Sequence, residues 1–166
     1  MTPTVEQNSL GSDSERIGGA LGRIPSGCYV LTTSHRGQST GLLVSWVQQA
    51  SFAPPSVTVA IRHGRPVSGL IEGSRRFLLN VMGEDAAAWF RHFGRGFSLA
   101  EDAFAGLETE ATAYGPLLLS CVAQIACDVE SILAAGDHTI YLGRVAAGHS
   151  NGHAPYVHVR KSGMSY

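Results

Sequence analysis

A G-x-S-x-G pattern near the C-terminus offers a candidate nucleophile, Ser150, within GHSNG at residues 148–152. In serine hydrolases this pattern forms a strand, a sharp turn and a helix, and an acid and a histidine follow it in the chain. Pro155 stands where that helix would run, and the last acidic residue, Asp137, precedes Ser150. The sequence therefore predicts a loop here and not a hydrolase site.

Three histidines lie at the same end of the chain and raise the question of a metal site: His149, His153 and His158. His149 and His153 are four residues apart, but a glycine lies between them and a proline follows. A helical pair of ligands is therefore not expected. No carboxylate accompanies them, so we expect surface histidines and no metal.

A longer stretch, GLLVSWVQQASFAPPSVTVAI at residues 41–61, sets polar and aromatic side chains between two apolar runs. Its amides and hydroxyls could face a planar, hydrogen-bonding ring, with an aromatic side chain beside it. An ordinary strand crossover explains the pattern equally well. The side chains concerned are Ser45, Trp46, Gln48, Gln49, Ser51 and Phe52.

Two shorter segments could complete a site for an anionic ligand. Arg62-His63-Gly64-Arg65 sets two cations beside Pro66, which is typical of the first position of a helix, where a phosphate binds well. Solvated turn charges are an equally good interpretation. Gly136-Asp137-His138 is a turn that would place one histidine, His138, at the mouth of a strand.

Alternating and continuous apolar patterns predict the elements that would position these residues. Residues 121–129 alternate as a half-buried strand does, and residues 85–94 carry Ala86, Trp89, Phe90 and Phe93 on one helical face. Six or seven strands, joined mostly as hairpins, favour an antiparallel barrel or sandwich. The predicted strands are residues 28–33, 42–47, 57–61, 77–82, 121–129, 139–147 and 156–159, and the predicted helices are 14–21 with Ser14 as N-cap, 66–72 and 85–94.

The composition limits the classes of partner. The chain has 166 residues, of which 44% are hydrophobic and 15% charged, and its net charge is -1. This indicates one domain with a sizeable core and argues against nucleic-acid binding, so a small molecule or another protein is the expected partner. Cys28, Cys121 and Cys127 are odd in number and show no CxxC spacing, so we expect reduced, structural thiols.

The N-terminus lacks the basic start and apolar stretch of a secretory signal, and no apolar run approaches the ~20 residues of a membrane span. We expect a disordered tail over residues 1–13, one domain over residues 14–166, and a cytoplasmic location.

Taken together, these segments resemble the flavin reductase-like family. The S-W-V-x-Q-A-S-F-x-P-P form is similar to the C-terminal flavin reductase module of diflavin flavodiiron proteins of oxygenic phototrophs, here expected to stand alone. The resemblance is carried by LGRIPSGCYVLTT at 21–33, GLLVSWVQQASFAPPSVTVAI at 41–61, FLLNVM at 77–82, WFRHFGRGF at 89–97, EDAFAGLE at 101–108, GDHTIYLGRV at 136–145 and HVRKSGMSY at 158–166.

The resemblance implies a mainly β fold with inserted helices, an antiparallel split barrel of the FMN-binding type. It also implies a homodimer with FMN in a groove near the subunit interface. Leu43 and Gln48 stand where the best-known flavin reductases carry Thr or Ser, which leaves FAD open as an alternative to FMN.

The resemblance also assigns roles to individual residues. The catalytic residue would be His138, near the place where nicotinamide stacks, as a placing or hydrogen-bonding group and not an obligatory acid or base. The cofactor-binding residues would be Ser45, Trp46, Val47 and Gln48 at the flavin ring, Ser51, Phe52 and Ala53 toward the ribityl phosphate, and Arg62 and Arg65 as cations that assist the phosphate.

The function implied is an NAD(P)H-dependent flavin reductase that transfers hydride from NADH or NADPH to flavin N5, with an electron-acceptor protein as a further partner. Two alternatives remain: a non-enzymatic FMN-binding electron carrier, and a split-barrel protein that binds another cofactor, such as haem through one histidine.

Overall fold

Strand-forming patterns dominate the chain, and the computed structural model is mainly β accordingly. The structure describes residues 12–160. The expected tail over residues 1–13 lies outside the described residues, apart from its last two. The described residues divide into a smaller unit, which comprises residues 12–25 and 158–160, and a larger unit, Ser26–Val157.

The smaller unit contains one helix, α1 (Asp13–Leu21). Its N-cap is Ser12 and not Ser14, so the predicted cap is wrong by two residues. Ser12 Oγ accepts a hydrogen bond from the Glu15 amide at 3.3 Å, and Glu15 Oε2 accepts one from the Ser12 amide at 2.7 Å. This reciprocal pair needs a glutamate three residues after the cap, and Ser14 has Ile17 there instead.

The larger unit holds the remaining helices and, apart from the end of the last strand, all the strands of the described chain. The helices are α2 (Pro66–Ser74) and α3 (Ala87–Phe93). The strands are β1 (Ser26–Gly27), β2 (Tyr29–His35), β3 (Gln38–Val44), β4 (Val47–Phe52), β5 (Pro55–Arg62), β6 (Arg76–Val81), β7 (Thr109–Glu110), β8 (Leu117–Leu118), β9 (Ala123–Ala135), β10 (His138–Ser150) and β11 (Val157–His158).

Seven strands form one sheet in the order β3-β2-β6-β9-β10-β5-β4, and every pairing in it is antiparallel. β3 and β4 follow each other in the chain yet stand at opposite edges of this sheet. Within the described residues no pairing joins these edges, so the sheet is open. The predicted strand over residues 42–47 is therefore wrong in extent: β3 ends at Val44, and Ser45 and Trp46 lead to the other edge.

Tight turns set the register of the hairpins. β2 and β3 are joined by Arg36 and Gly37, both with positive φ, 49° and 78°. Two such residues form the turn whose twist matches that of the flanking strands. The predicted strand over residues 28–33 and the start of the one over residues 42–47 thus belong to one hairpin, in line with the expected hairpin connections.

The G-x-S-x-G pattern lies at the end of a long strand. β10 continues to Ser150, three residues beyond the predicted end of this strand, and no helix follows within the described residues. The strand–turn–helix geometry of a nucleophile elbow is thus absent from this part of the structure. The predicted loop over residues 148–152 is wrong for residues 148–150, which are strand because they pair with residues 123–125 of β9.

The core has two clusters of buried apolar side chains. The first includes Leu31, Phe77, Leu79 and Tyr141 together with Ile71 of α2. The second joins α3 to the segments around it, and its members include Val30, Met82, Ala86, Phe93, Phe97 and Leu118. Trp89 and Phe90 pack against this second cluster, so the predicted apolar face of α3 is confirmed.

One buried amide links the sheet to β8. Asn80 is fully buried, and its Nδ2 donates to the Val30 carbonyl at 3.1 Å and to Thr32 Oγ1 at 3.3 Å. Its Oδ1 accepts a hydrogen bond from the Leu118 amide at 2.9 Å. Thr32 Oγ1 in turn donates to the Pro116 carbonyl at 2.7 Å. These bonds satisfy a polar group that would be costly to bury alone.

The side chain of one glutamate, Glu101, stabilises the loop after α3. Glu101 pairs with Arg95 at 2.8 Å, and its other oxygen accepts hydrogen bonds from the Ser98 amide and hydroxyl at 2.8 and 2.9 Å. The bond from Arg95, followed by those from Ser98, lowers the pKa of Glu101 from 4.5 to about 2. The carboxylate therefore stays ionised in moderately acidic solution.

This lowered pKa gives a pH-dependent prediction for Glu101→Gln. A depressed folded-state pKa contributes stability that is fully present above pH 4.5 and is lost as the pH falls toward 2. We expect the melting temperature of the variant to lie below that of the wild type at pH 7. The difference between the two melting temperatures should shrink to zero as the pH falls through this window. Thermal melts from pH 7 to 2 measure it, with Glu110→Gln, an exposed glutamate in β7, as control. A gap that does not change with pH would contradict the assignment.

The three cysteines are free thiols. Cys28 and Cys127 are buried, and Cys121 is partly buried. Burial, the larger cause, raises the pKa of Cys127 to about 12, so its thiol stays protonated at neutral pH. These positions agree with the predicted structural, unpaired cysteines. None of the helices in the described chain has the length and apolar character needed to cross a membrane.

Candidate functional site

The predicted wall over residues 41–61 is built by a crossing from one sheet edge to the other. Ser45 and Trp46 make this crossing, and the Trp46 carbonyl accepts a hydrogen bond from the Ala60 amide at 3.0 Å. Val47 then pairs with Val59. The backbone of Trp46 is thus fixed against β5 while 39% of the residue stays exposed. An exposed indole on a fixed backbone can offer a flat apolar surface to a ligand.

The edge strand β4 carries the predicted amides. Its one strand partner among residues 12–160 is β5, so the backbone groups on its other side are open to a ligand. Gln48 and Gln49 are exposed. The register shifts between Gln49 and Ser51, which leaves Ala50 as a β-bulge. β4 therefore presents backbone donors and two amides along one edge of the sheet.

The far end of β4 is an exposed turn. Phe52 pairs with Pro55, and the peptide bond between Ala53 and Pro54 is cis. Phe52 is 88% exposed, the highest value for a large hydrophobic side chain among the described residues. Ser51 is partly buried and lies opposite Ser56.

At the near end of β4, Trp46 lies against His138. The two ring centroids are 4.6 Å apart with an angle of 32° between the planes. His138 is only 6% exposed, although it is the first residue of β10. Its Nδ1 lies 2.7 Å from Asp137 Oδ1. The predicted histidine at the mouth of a strand is therefore a buried ring held between an indole and a carboxylate.

Asp137 joins this pair to an arginine. β10 and β5 are aligned so that His138 lies opposite Arg62. Arg62 Nε is 4.0 Å from Asp137 Oδ2, and the His63 amide donates to the Asp137 carbonyl at 2.9 Å. The hydrogen bond from His138 is the main cause that lowers the pKa of Asp137, and Arg62 adds a smaller effect. The carboxylate is therefore ionised at neutral pH.

The sequence did not single out Asp137 as a site residue, although the turn that contains it was noted. Two features point to Asp137 as a site residue. It directly precedes His138, and the strand that begins at His138 pairs with the strand that ends at Arg62. The second feature depends on strand order, which a local pattern does not determine.

Not all the predicted site residues come together. Phe52 pairs with Pro55 at the start of β5, whereas Arg62 ends β5 beside His138. The seven residues from Ser56 to Arg62 are six steps along the strand and span about 20 Å at the usual rise of a strand. One phosphate group therefore cannot contact both Arg62 and residues 51–53.

Arg65 lies at the start of α2, three residues after Arg62 in the chain. It is the N-cap residue of α2, and its side chain caps no amide. Its Nη1 lies 3.6 Å from the position that a Cβ on Gly96 would take, so the guanidinium approaches the turn after α3. Ser45, Trp46, Val47, Arg62, Asp137 and His138 thus gather at one end of β4, and Ser51, Phe52 and Ala53 at the other.

Residues 12–160 contain no group of three or more His, Cys, Asp or Glu side chains placed to hold a metal ion. The chemistry available at β4 is instead an aromatic surface, amide and backbone hydrogen bonds and one arginine. A long ligand with a flat polar ring suits this combination.

Known proteins share this architecture. The chain resembles a nitrilotriacetate monooxygenase component B homologue from Mycobacterium thermoresistibile, with a TM-score of 0.76 and 26% identity over 86% of this chain and 80% of that one. It also resembles the styrene monooxygenase flavin reductase of Pseudomonas putida S12, with a TM-score of 0.73 and 26% identity over 85% of this chain and 90% of that one. The predicted split-barrel fold class is confirmed.

Sequence comparison gives the same result. The chain is 36% identical over 165 residues to a putative diflavin flavoprotein A 3 of Nostoc sp., which covers 95% of this chain and 28% of that protein. The chain thus spans just over a quarter of that relative's length. The flavin reductase like domain matches residues 21–164. The chain therefore belongs to the flavin reductase like family of flavin-binding oxidoreductases.

Proposed function

We propose that the protein is an NAD(P)H-dependent flavin reductase that binds FMN along β4. The observation that carries the proposal is the contact of Trp46 with His138, beside Arg62, at one end of an open edge strand lined with amides. A simple strand crossover has no need of an exposed indole held at a fixed place by a buried imidazole.

The residues of β4 fit a flavin mononucleotide. An isoalloxazine ring needs an apolar surface with hydrogen-bond partners around its edge, and Trp46, Gln48 and the open backbone of β4 provide these groups. A ribityl phosphate extends well beyond the ring, and β4 is six residues long, about 17 Å between its ends. The strand is therefore long enough to contact both ends of the cofactor.

The register supports one orientation of the cofactor. Ser45, Trp46, Val47 and Gln48 would contact the ring, and Ser51, Phe52 and Ala53 would lie toward the phosphate. Arg62 lies at the Trp46 end, so we assign it to the ring instead of the phosphate expected from the sequence. A cation there stabilises the negative charge that a flavin ring gains on reduction. Arg65 remains a candidate for an anionic group near α2.

When bound, FMN would accept hydride at N5 from NADH or NADPH and pass the electrons on. His138 is too buried for an open stacking surface, so we propose that it fixes Trp46 and hydrogen-bonds within the site and that it is not an obligatory acid or base. Trp46 would form one wall of the ring pocket, and β4 would hold the edge of the ring. Nicotinamide could then approach the face of the ring opposite Trp46.

Anaerobic titration tests the proposal. We expect the purified chain to bind added FMN, seen as a shifted flavin spectrum, and NADH or NADPH to bleach the absorbance of the complex. Bound FMN that neither nucleotide bleaches would favour the electron-carrier alternative. A chain that does not bind FMN but gives a Soret band when haem is added would favour the haem alternative. FAD in place of FMN, tested in the same titration, decides between the two flavins.

We also propose a homodimer and an electron-acceptor protein as partners, in line with the family. Light scattering of the purified chain measures the first. The acceptor would receive either electrons or reduced flavin from the site.

A further inference from the structure

We propose that Asp137 is a positioning residue, which fixes the His138 imidazole against Trp46 and so sets the indole surface of the flavin site. The proposal rests on the proposed function for its catalytic consequence. The placement of the ring can be tested without flavin.

The first step concerns the proton on His138. Asp137 is ionised, and an ionised carboxylate only accepts hydrogen bonds. The 2.7 Å contact therefore requires that His138 Nδ1 carries the hydrogen and donates it to Asp137 Oδ1. In the neutral imidazole this fixes one tautomer, with Nε2 as an acceptor. Asp137 thus selects the hydrogen-bonding character of the ring.

The second step concerns the orientation of the ring. His138 touches Asp137 at one nitrogen and faces the Trp46 indole at 4.6 Å. A ring restrained at an edge and on a face has little freedom to rotate about its side-chain bonds. The Trp46 backbone is itself bound to Ala60. The chain of contacts from Asp137 through His138 therefore ends on the exposed indole.

The third step concerns the carboxylate, whose side chain is 73% exposed while that of His138 is 7% exposed. Two further contacts hold it in place. Arg62 Nε lies 4.0 Å from its second oxygen, and the His63 amide binds the Asp137 carbonyl. An exposed carboxylate with contacts on both oxygens and on its backbone is fixed well enough to orient a buried ring.

The first measurement reads the tautomer in the flavin-free full chain. Long-range ¹⁵N–¹H spectra distinguish Nδ1–H from Nε2–H imidazoles, and a His138→Ala spectrum identifies the signals of this ring among the seven histidines. We expect the Nδ1–H form in the wild type and a shift toward Nε2–H in Asp137→Ala. Asp128→Ala is the matched control, because Asp128 also pairs with arginines on this sheet, Arg76 and Arg144. It should leave the tautomer unchanged.

Asp137 also lies in a tight turn, so Asp137→Asn provides a second variant that keeps the turn and the size of the side chain while it removes the charge. We expect a mixture of tautomers in this variant. Persistence of the Nδ1–H form in both variants would overturn the proposal.

The second measurement is the stopped-flow rate at which NADH reduces bound FMN. We expect Asp137→Ala to slow it by roughly 10-fold or more, as removal of a carboxylate that orients an imidazole does elsewhere. The dissociation constant of FMN should rise by a smaller factor than the rate falls, because Asp137 would act on the ring only through the Trp46 indole, one of several groups that we assign to the flavin. His138→Ala should slow reduction at least as much, and the double variant should be no slower than His138→Ala alone.

The positioning role would be overturned if the rate losses of the two single variants multiplied in the double variant. An unchanged rate in Asp137→Ala would also overturn it. A wild-type chain that binds FMN but is not reduced by NADH or NADPH would instead overturn the proposed function. The tautomer measurement then decides alone whether Asp137 positions the ring.

Discussion

Gly115→Ala is expected to lose about 3 to 5 kcal/mol of unfolding free energy, from backbone strain together with overpacking. Gly115 has φ of 132°, a conformation that residues with a Cβ rarely adopt. An added Cβ would lie 2.7 Å from the carbonyl carbon of Thr32 and 2.7 Å from the amide nitrogen of Thr33. These are backbone atoms of β2, which is paired on both sides, so they cannot move away cheaply.

Urea unfolding of the flavin-free chain measures this loss. Gly106→Ala is the matched control, because Gly106 also has positive φ, 77°, but an added Cβ would meet no atom within 4 Å. The control should lose only about 1 kcal/mol, from the left-handed conformation alone. Equal losses in the two variants would show that the contact with Thr32 and Thr33 is not the cause.

Arg62→Ala is expected to weaken FMN binding by roughly 10- to 100-fold, the range for loss of a hydrogen bond to a charged group. The effect should be larger on reduced FMN than on oxidised FMN, because the cation lies at the end of β4 that we assign to the ring. Fluorescence titration of oxidised FMN and anaerobic titration of reduced FMN give the two affinities. Melting of the flavin-free variant checks that any change exceeds a loss of fold stability.

Two companion variants make this test specific. Ser51→Ala should weaken both redox states of FMN equally and by a smaller factor, since Ser51 lies at the phosphate end of β4. Arg65→Ala should have little effect, because its guanidinium approaches Gly96 in the turn after α3 and we do not assign it to the ring. A larger effect from Arg65→Ala than from Arg62→Ala would move the anion-binding position to α2 and contradict the orientation we propose.

Much of the fold follows from local patterns in the sequence. The alternation after Cys121 predicts β9, the helical spacing from Ala86 to Phe93 predicts α3, and Pro66 begins α2 as expected. These patterns are reliable because each reflects burial of one face of a single element. The strand count of six or seven also follows from these patterns, and the family resemblance adds the split-barrel class.

The features that the sequence missed depend on contacts between distant segments. An apolar run over residues 42–47 looks the same whether it stays in one strand or crosses between two edges, so the break at Ser45 was not predicted. Asp137 reaches Arg62 only because β10 pairs with β5. The two residues are 75 positions apart in the chain. Local periodicity contains no information about such pairings.

The open side of β4 has a consequence for solubility. An edge strand with unpaired backbone groups can add a strand from another molecule and so start aggregation. In β4 the bulge at Ala50 interrupts the regular spacing of these groups, which is one way in which an edge strand avoids such pairing. The bulge that lies between residues we assign to the flavin thus also disfavours edge-to-edge aggregation whenever the flavin is absent.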